Sequence, residues 1–580
     1  MTRSRAISLG VVPLQVATAL VLFLPVLLFG EPFTHSDRIN HTWVELFTRE
    51  LMSGEMYPRW LYDSFGEMGA PSFYFYPPAF FYIAAAVRIV SLGAISTQYA
   101  IPIAGALISA ASGIAMFAFL RYVADRKLAL IGATLYQLAP YHVVDFYLRG
   151  ALGEFTAYVF MPLIVLGMNR VAASQRWGAI PLGLGYAGLI YSHLPGTVLF
   201  SVVLACYAVF LALTSRSDLK GRFALLFEIA CWLLVGIALA TPYVLPALTL
   251  LQYTSTVELW TPFHRPENWL IQNFDHWPLK PFNFSMLGLA LGMAVPATYM
   301  LLRRPRVASR ENLFWAGVTA ISFPLMLGVF PWFWQVSPID KVQFPFRFLM
   351  ATEFAFIAAC VTYLNERSFN PRQAQWLAAG ALIAVSTAPL AYRAAAQVSV
   401  LHTKASGAIA DWEVGYRDAD VYLPPQFFAS RPPDVTYEQD RSSDGRYSAF
   451  GTTKLSSLQA QPLGRLQNGD GQAAVTGSGR QLNVEVDASG AGKVIVKRFY
   501  FPTWTATGAR NESFKIEPTA DGLVSVDVPA GKSRFVLTQR LAAPARVARI
   551  PCLAAALLLT IVSFVLYRKK PRPYAAPLSR

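Results

Sequence analysis

The sequence predicts a polytopic α-helical membrane protein of about 12 spans, with one further interfacial or re-entrant helix and an extracytoplasmic β-sandwich domain near the C-terminus. Three observations predict it. Of 580 residues, 54% are hydrophobic and only 14% charged, with a mean hydropathy of +0.39, which excludes an ordinary soluble protein. The basic residues fall in short clusters between apolar runs, so the formal charge of +15 has the distribution of cytoplasmic membrane loops and not of a nucleic-acid binder. Beyond about residue 399 the continuous apolar runs give way to alternation.

The first run, Ala6 to Phe29, is longer than a signal-peptide core and has no small-residue cleavage site before GEPF, so it reads as retained and spanning. Runs near the roughly 20 apolar residues that a span needs begin near 6, 77, 98, 128, 153, 177, 196, 222, 284, 313, 346, 375 and 548. If all thirteen crossed, with the N-terminus inside, then RYVADRK, NRVAASQR, SRSDLKGR and RRPRVASR would face outward, against the cytoplasmic preference of Lys and Arg. Demoting the run after Pro77-Pro78, which is short and has Arg88 at its middle, repairs every loop. Twelve spans remain, with both termini cytoplasmic.

The opening loop (31–78) then faces out, and its stretch 31 to 75 is net −4 from seven acidic and three basic residues. On the same face lie YHVVDFYLRGALGEF (141 to 155), SHLPG (192 to 196), an aromatic and histidine-bearing loop (252 to 283) and SPIDKVQFPFR (337 to 347). Further on, LNVEVD, KVIVKRFYF, SFKIEP, LVSVDVP and RFVLTQR alternate with a period of two between turn residues, the pattern of a sandwich. The expected domains are 1–398 (membrane), 399–547 (β-sandwich) and 548–580 (a last span with a basic tail). Cys206, Cys231, Cys360 and Cys552 all sit in apolar runs, which argues against a disulfide framework or a CxxC site.

Several outward residues can carry chemistry. Asp37 and His41 stand four apart and share a face on a helical turn, which suits a base with its orienting partner, a pair of metal ligands, or a merely solvated carboxylate. Asp145, Arg149 and Glu154 lie in a turn too apolar to need three charges for solubility. An ion pair pinning two helices and a functional role are both open there. His193 fits either a capped helix-end histidine or a ligand. Arg347, six residues after Lys341, suits snorkelling to headgroups or a grip on a lipid phosphate. Trp260, His264, Trp269 and Trp277 fit an interfacial belt or stacking platforms for sugar rings. No P-loop, GxGxxG, HExxH or GxSxG motif supports nucleotide-driven transport or serine or zinc hydrolysis.

In chain order, GEMYPRW, GEMGAPSFYFYPP, YLRGALGEF, SHLP, VQFPFRFL and FYFPTW resemble bacterial membrane proteins labelled 6-pyruvoyl-tetrahydropterin-synthase-related, close to YfhO-like proteins, within the GT-C superfamily of membrane glycosyltransferases. The likeness covers nearly the whole chain. It implies a GT-C-like membrane domain that moves a sugar, with inversion, from a polyprenyl-phosphate donor to an envelope glycan, lipid or protein acceptor outside the cytoplasm. It implies an acidic residue near the acceptor in the first outward loop, a position that Asp37 matches as the base. Glu154 is then a second catalytic carboxylate that orients Arg149 or shares a divalent metal. Arg149, Arg347 and Arg59 face the donor phosphate, and His41, Asp145, His193 and Trp269 are acceptor-side or auxiliary. No second acidic residue adjoins Asp37, and SHLP carries Leu194, so no metal requirement is specified. The bilayer is a partner and nucleic acid is not. Two other classes compete: a lipid-linked-glycan flippase or transporter, and a noncatalytic envelope assembly factor that binds through its β domain.

Overall fold

The computed structural model describes residues 10–30, 38–216, 218–255, 264–276, 280–302, 309–366, 422–429, 449–467 and 471–568. Its longer helices are α1 (Val11–Phe29), α2 (Arg38–Met52), α3 (Ala79–Val90), α4 (Thr97–Val123), α5 (Arg126–Gln137), α6 (Pro140–Tyr147), α7 (Leu152–Ala172), α8 (Ala179–Ser192), α9 (Leu194–Ser215), α10 (Leu219–Thr249), α11 (Lys280–Leu302), α12 (Arg310–Leu327), α13 (Leu349–Asn365) and α14 (Arg549–Arg568). Among the described residues, eight helices are long and apolar enough to cross a membrane, as a polytopic protein requires. The run near 375 and the domain boundary at 398 lie outside the described residues. The four cysteines are free.

Helix α3 has 12 residues, about 18 Å at the α-helical rise, too short to cross. Arg88 instead pairs with Glu45 of α2, whose Oε2 also accepts from Thr97 Oγ1 at 2.7 Å. The opening segment is more ordered than a loop: Trp43, Val44, Leu46 and Phe47 recur at helical spacing, and all four are buried on α2.

Two prolines interrupt the ladder of α10. Lacking N–H groups, Pro242 leaves the Ala238 carbonyl unpaired and Pro246 leaves that of Pro242 unpaired. Thr241 Oγ1 donates to the first at 2.7 Å; Arg59, reaching over from the opening segment, donates to the second through Nη2 at 3.0 Å. Proline also ends the run of α5, and the chain restarts at Pro140 as α6. The first amides of α6, Tyr141 and His142, donate to the carboxylate of Glu353 on α13 at 2.6 and 3.2 Å.

Burial separates inner from outer helices. The apolar windows of α7 and of Pro345–Asn365 are 78% and 83% buried, against 22% for α10 and 17% for Ala543–Leu566. Outward residues such as Phe227, Leu234, Leu557 and Ile561 suit lipid contact. Because lipid offers helices no hydrophobic drive to associate, close packing and buried polar pairs hold the inner ones.

The β domain contains β1 (Gly464–Gln467), β2 (Gly471–Ser478), β3 (Gln481–Ala488), β4 (Gly492–Phe499), β5 (Trp504–Gly508), β6 (Ser513–Phe514), β7 (Ile516–Pro518), β8 (Leu523–Val528) and β9 (Gly531–Gln539). They form antiparallel sheets in the orders β1-β4-β8-β7 and β2-β3-β9-β5-β6. Alternation on β3 buries Leu482, Val484, Val486 and Ala488, each large side chain contributing about 1.5–3 kcal/mol.

This domain sits on the opening segment. Phe499 N donates to Met68 O at 2.8 Å. Trp60 lies 5.7 Å from Phe501 and 6.1 Å from Trp504, and Tyr74 lies 5.2 Å from Phe501. GEMGAPSFYFYPP and FYFPTW are therefore the two sides of one interface. At the same seam, burial first and then Asp63 push the Glu50 carboxyl up to about 7.

Candidate active site

The YLRGALGEF motif builds the site by backbone geometry. Gly150 turns the chain after Arg149 at φ 53°, a left-handed conformation that glycine adopts without strain. Its carbonyl accepts from Asn40 Nδ2 at 2.9 Å, which ties α2 to this turn. Gly153 packs so closely on the end of α8 that a Cβ would lie 2.4 Å from the Ser192 carbonyl. Glu154 is thereby brought to His193, in the first turn of α7, where the helix dipole favours a carboxylate.

Glu154 is fully buried. Its Oε2 accepts from Arg149 Nη1 at 2.8 Å and lies 3.6 Å from Arg347 Nε and 3.9 Å from His193 Nε2. Its Oε1 accepts from the Tyr141 hydroxyl at 2.8 Å. Arg149 Nη1 also donates to Tyr141 Oη at 2.7 Å and to Asp145, so both ion pairs left open by the sequence form. His193 caps α9, its Nδ1 accepting from the Gly196 amide at 3.1 Å; a neutral ring then carries its proton on Nε2, toward Glu154. Two carboxylates and two guanidiniums compensate one another away from water.

The FPFR motif aims the arginines. Phe344 and Phe346 stack at 5.1 Å and 8°, with Arg347 over the first at 4.9 Å and Arg149 over the second at 5.1 Å. Arg347 Nη1 is tethered to Val342 O at 2.6 Å and Gln343 Oε1 at 2.9 Å. Gln343 has φ 75°, strained for a non-glycine residue and held by its surroundings. Among the described residues, Nε and Nη2 of Arg149 and of Arg347 donate no hydrogen bond. Arg149 is anchored through Nη1 and keeps Nε and Nη2 as donors, whereas Arg347 is held through Nη1 and by the proximity of Nε to Glu154 and keeps Nη2.

Other expected members stand apart. Asp37, and with it any pairing to His41, lies outside the described residues. His41 is buried on α2; desolvation, aided by Arg88 and opposed by Glu45, lowers its pKa to about 4, so the ring is neutral at pH 7. Arg59 does not join Arg149 and Arg347: it serves the carbonyl freed by Pro246, and its guanidinium lies 3.8 Å from the Tyr57 ring centroid. Trp269 is neither belt nor platform, being 2% exposed and edge-on to Phe344 and Phe346 at 5.1 and 5.3 Å. It supports FPFR from within. Trp260 and Trp277 lie outside the described residues, and Lys341 pairs with Asp340 at 2.6 Å. Among the described residues, no three His, Cys, Asp or Glu side chains are placed to hold a metal ion. With both Glu154 oxygens taken by Arg149 and Tyr141, the described donors do not fit a divalent metal.

Sequence reasoning missed Tyr141 and Glu353. A tyrosine in an apolar turn gives no signal, whereas a glutamate inside the apolar run LMATEFAFIAA is itself one. Glu353 lines an apolar groove of about 380 Å³ between α5, α11 and α13. Of its lining residues, Leu128 stands near the start of α5 and Met300 and Leu364 near the ends of α11 and α13, whereas Pro140 begins α6 and Glu353 lies in the first turns of α13. Tyr141 links groove to cluster, its amide on Glu353 and its hydroxyl on Glu154.

No family model matches the chain, and no curated protein matches it significantly. Among solved structures it is similar to the arabinofuranosyltransferase AftD from Mycobacteria, at 14% identity and a TM-score of 0.41 over 92% of this chain and 40% of that one. It is similar to the Archaeoglobus fulgidus oligosaccharyltransferase, at 12% identity and 0.35 over 66% and 53%, and to ArnT from Cupriavidus metallidurans bound to undecaprenyl phosphate, at 15% and 0.26 over 61% and 78%. The chain thus spans 40% and 53% of the first two.

Proposed function

We propose that the chain is a GT-C-type, YfhO-like membrane glycosyltransferase that moves a sugar from a polyprenyl phosphate to an envelope acceptor on the extracytoplasmic side. The observation that supports it most is the junction of Arg149 and Arg347, each with unused donors, to an apolar groove through Tyr141 and Glu353. An anionic headgroup on a long prenyl chain needs both. On this reading the acceptor oxygen bonds to the anomeric carbon as the bond from that carbon to the phosphate oxygen breaks. The proton passes to Asp37, assigned by resemblance, and the electron pair leaves with the lipid phosphate, whose charge the two guanidiniums stabilise. Attack opposite the leaving group inverts the configuration. Asp145, Glu154 and Tyr141 hold Arg149, and Phe344 and Gln343 hold Arg347. A flippase is less well served, because the charges gather at helix ends and not along a mid-membrane path.

Native mass spectrometry of the purified protein with undecaprenyl phosphate and undecaprenol tests the donor site. The phosphate lipid is expected to bind at least about 10-fold more tightly, the equivalent of one charge-assisted hydrogen bond. Equal binding contradicts the assignment.

A further inference from the structure

We propose, resting on that reading, that Glu353 is a positioning residue that holds α6 in register so that Tyr141 and Arg149 present the headgroup site at the end of the groove. Helix α6 has 8 residues and no side-chain cap of its own, its N-cap being Ala139. So short a helix does not persist unaided. Glu353 supplies the cap from another helix: its carboxylate accepts from the amides of Tyr141 and His142 at 2.6 and 3.2 Å and from the Tyr158 hydroxyl at 2.8 Å. His142 stacks on Tyr158 with centroids 3.8 Å apart and planes 2° apart, so α6 is gripped at both its amides and its underside. The same eight residues carry Tyr141 and Asp145 and lead directly into Arg149.

Glu353 is 1% exposed, yet it lines the groove beside Phe356, Ile357 and Cys360. A carboxylate is a poor lining for a groove that leads to a phosphate, since like charges repel. Its presence there is accounted for by the helix it caps. Substrate chain and headgroup then meet at one residue, which touches the groove with one side and the headgroup scaffold with the other.

The test compares the binding of undecaprenyl phosphate with that of undecaprenol. Glu353→Gln keeps one acceptor for two amides, and it is expected to weaken the phosphate lipid about 10-fold while leaving undecaprenol unchanged. Glu311→Gln alters another carboxylate, one bonded to Tyr207 and Trp315, and is expected to change neither lipid. Tyr158→Phe removes one donor and spares both amide contacts; about a threefold loss of phosphate preference is expected, and this variant carries the test if Glu353→Gln fails to fold. Equal weakening of both lipids, or an undiminished phosphate preference in these variants, overturns the positioning role while leaving the donor site standing. Absence of any preference in the unaltered protein overturns the donor site and this inference together.

Discussion

Replacing Arg347 with Lys separates a phosphate grip from a purely structural cation, because the two make opposite forecasts. The guanidinium lies over Phe344 at 4.9 Å, is tethered through Nη1 at 2.6 and 2.9 Å and turns Nε to Glu154 at 3.6 Å, which leaves Nη2 to donate. A lysine ammonium keeps the charge but cannot hold both tethers and still donate to a phosphate. Losing one charge-assisted hydrogen bond costs about 1.5–3 kcal/mol, roughly 10- to 150-fold in affinity. Titration of undecaprenyl phosphate by native mass spectrometry reads this directly, with thermal unfolding in detergent as the check on folding. A change of less than twofold in a folded Arg347→Lys protein would refute the grip and leave Arg347 a structural partner of Glu154.

Asp37→Asn is expected to reduce sugar transfer by roughly 10²- to 10⁴-fold without preventing insertion, measured by complementation and glycan analysis; near-normal transfer moves the base elsewhere. Tyr141→Phe leaves Glu154 Oε1 without its donor and should destabilise the protein by about 1–3 kcal/mol, and an unaltered melting temperature argues against the bridge. Glu50, with its folded pKa raised to about 7 from 4.5, adds stability that is complete below the unfolded value and lost as pH rises through about 7. The melting temperature should therefore fall between pH 5 and 8 more steeply than in Glu50→Gln, and parallel profiles contradict the buried carboxyl. Reporters after Arg126 and Arg306 should read cytoplasmic and one near Gly469 extracytoplasmic; a cytoplasmic reading at Gly469 reverses the orientation.

What the sequence made legible was local. Apolar run length marks the long helices, and alternation in LNVEVD marks a strand with Leu482, Val484 and Val486 inward. The pairing of Arg149 with Asp145 and Glu154 was legible too, because the partners are four and five positions apart. Contacts that close over distance were not. Arg59 is drawn away by a carbonyl 183 positions on, and the amide of Tyr141 meets Glu353 across 212 positions. Trp269 has the composition of an interfacial ring, and only its packing beneath Phe344 and Phe346 reveals it as core. Helix α2 was hidden because Glu45, Arg49 and Glu50 break its linear apolar run, although Trp43, Val44 and Phe47 share one face.

Sugar transfer from a polyprenyl phosphate is tested most directly by mass spectrometry of envelope glycans and polyprenyl-phosphate sugars from cells lacking this chain. The account predicts one missing sugar in an envelope glycan and accumulation of the matching lipid-phosphate sugar, both restored by the unaltered chain and not by Asp37→Asn. An unchanged glycan and donor pool, or restoration by Asp37→Asn as complete as by the unaltered chain, contradicts it.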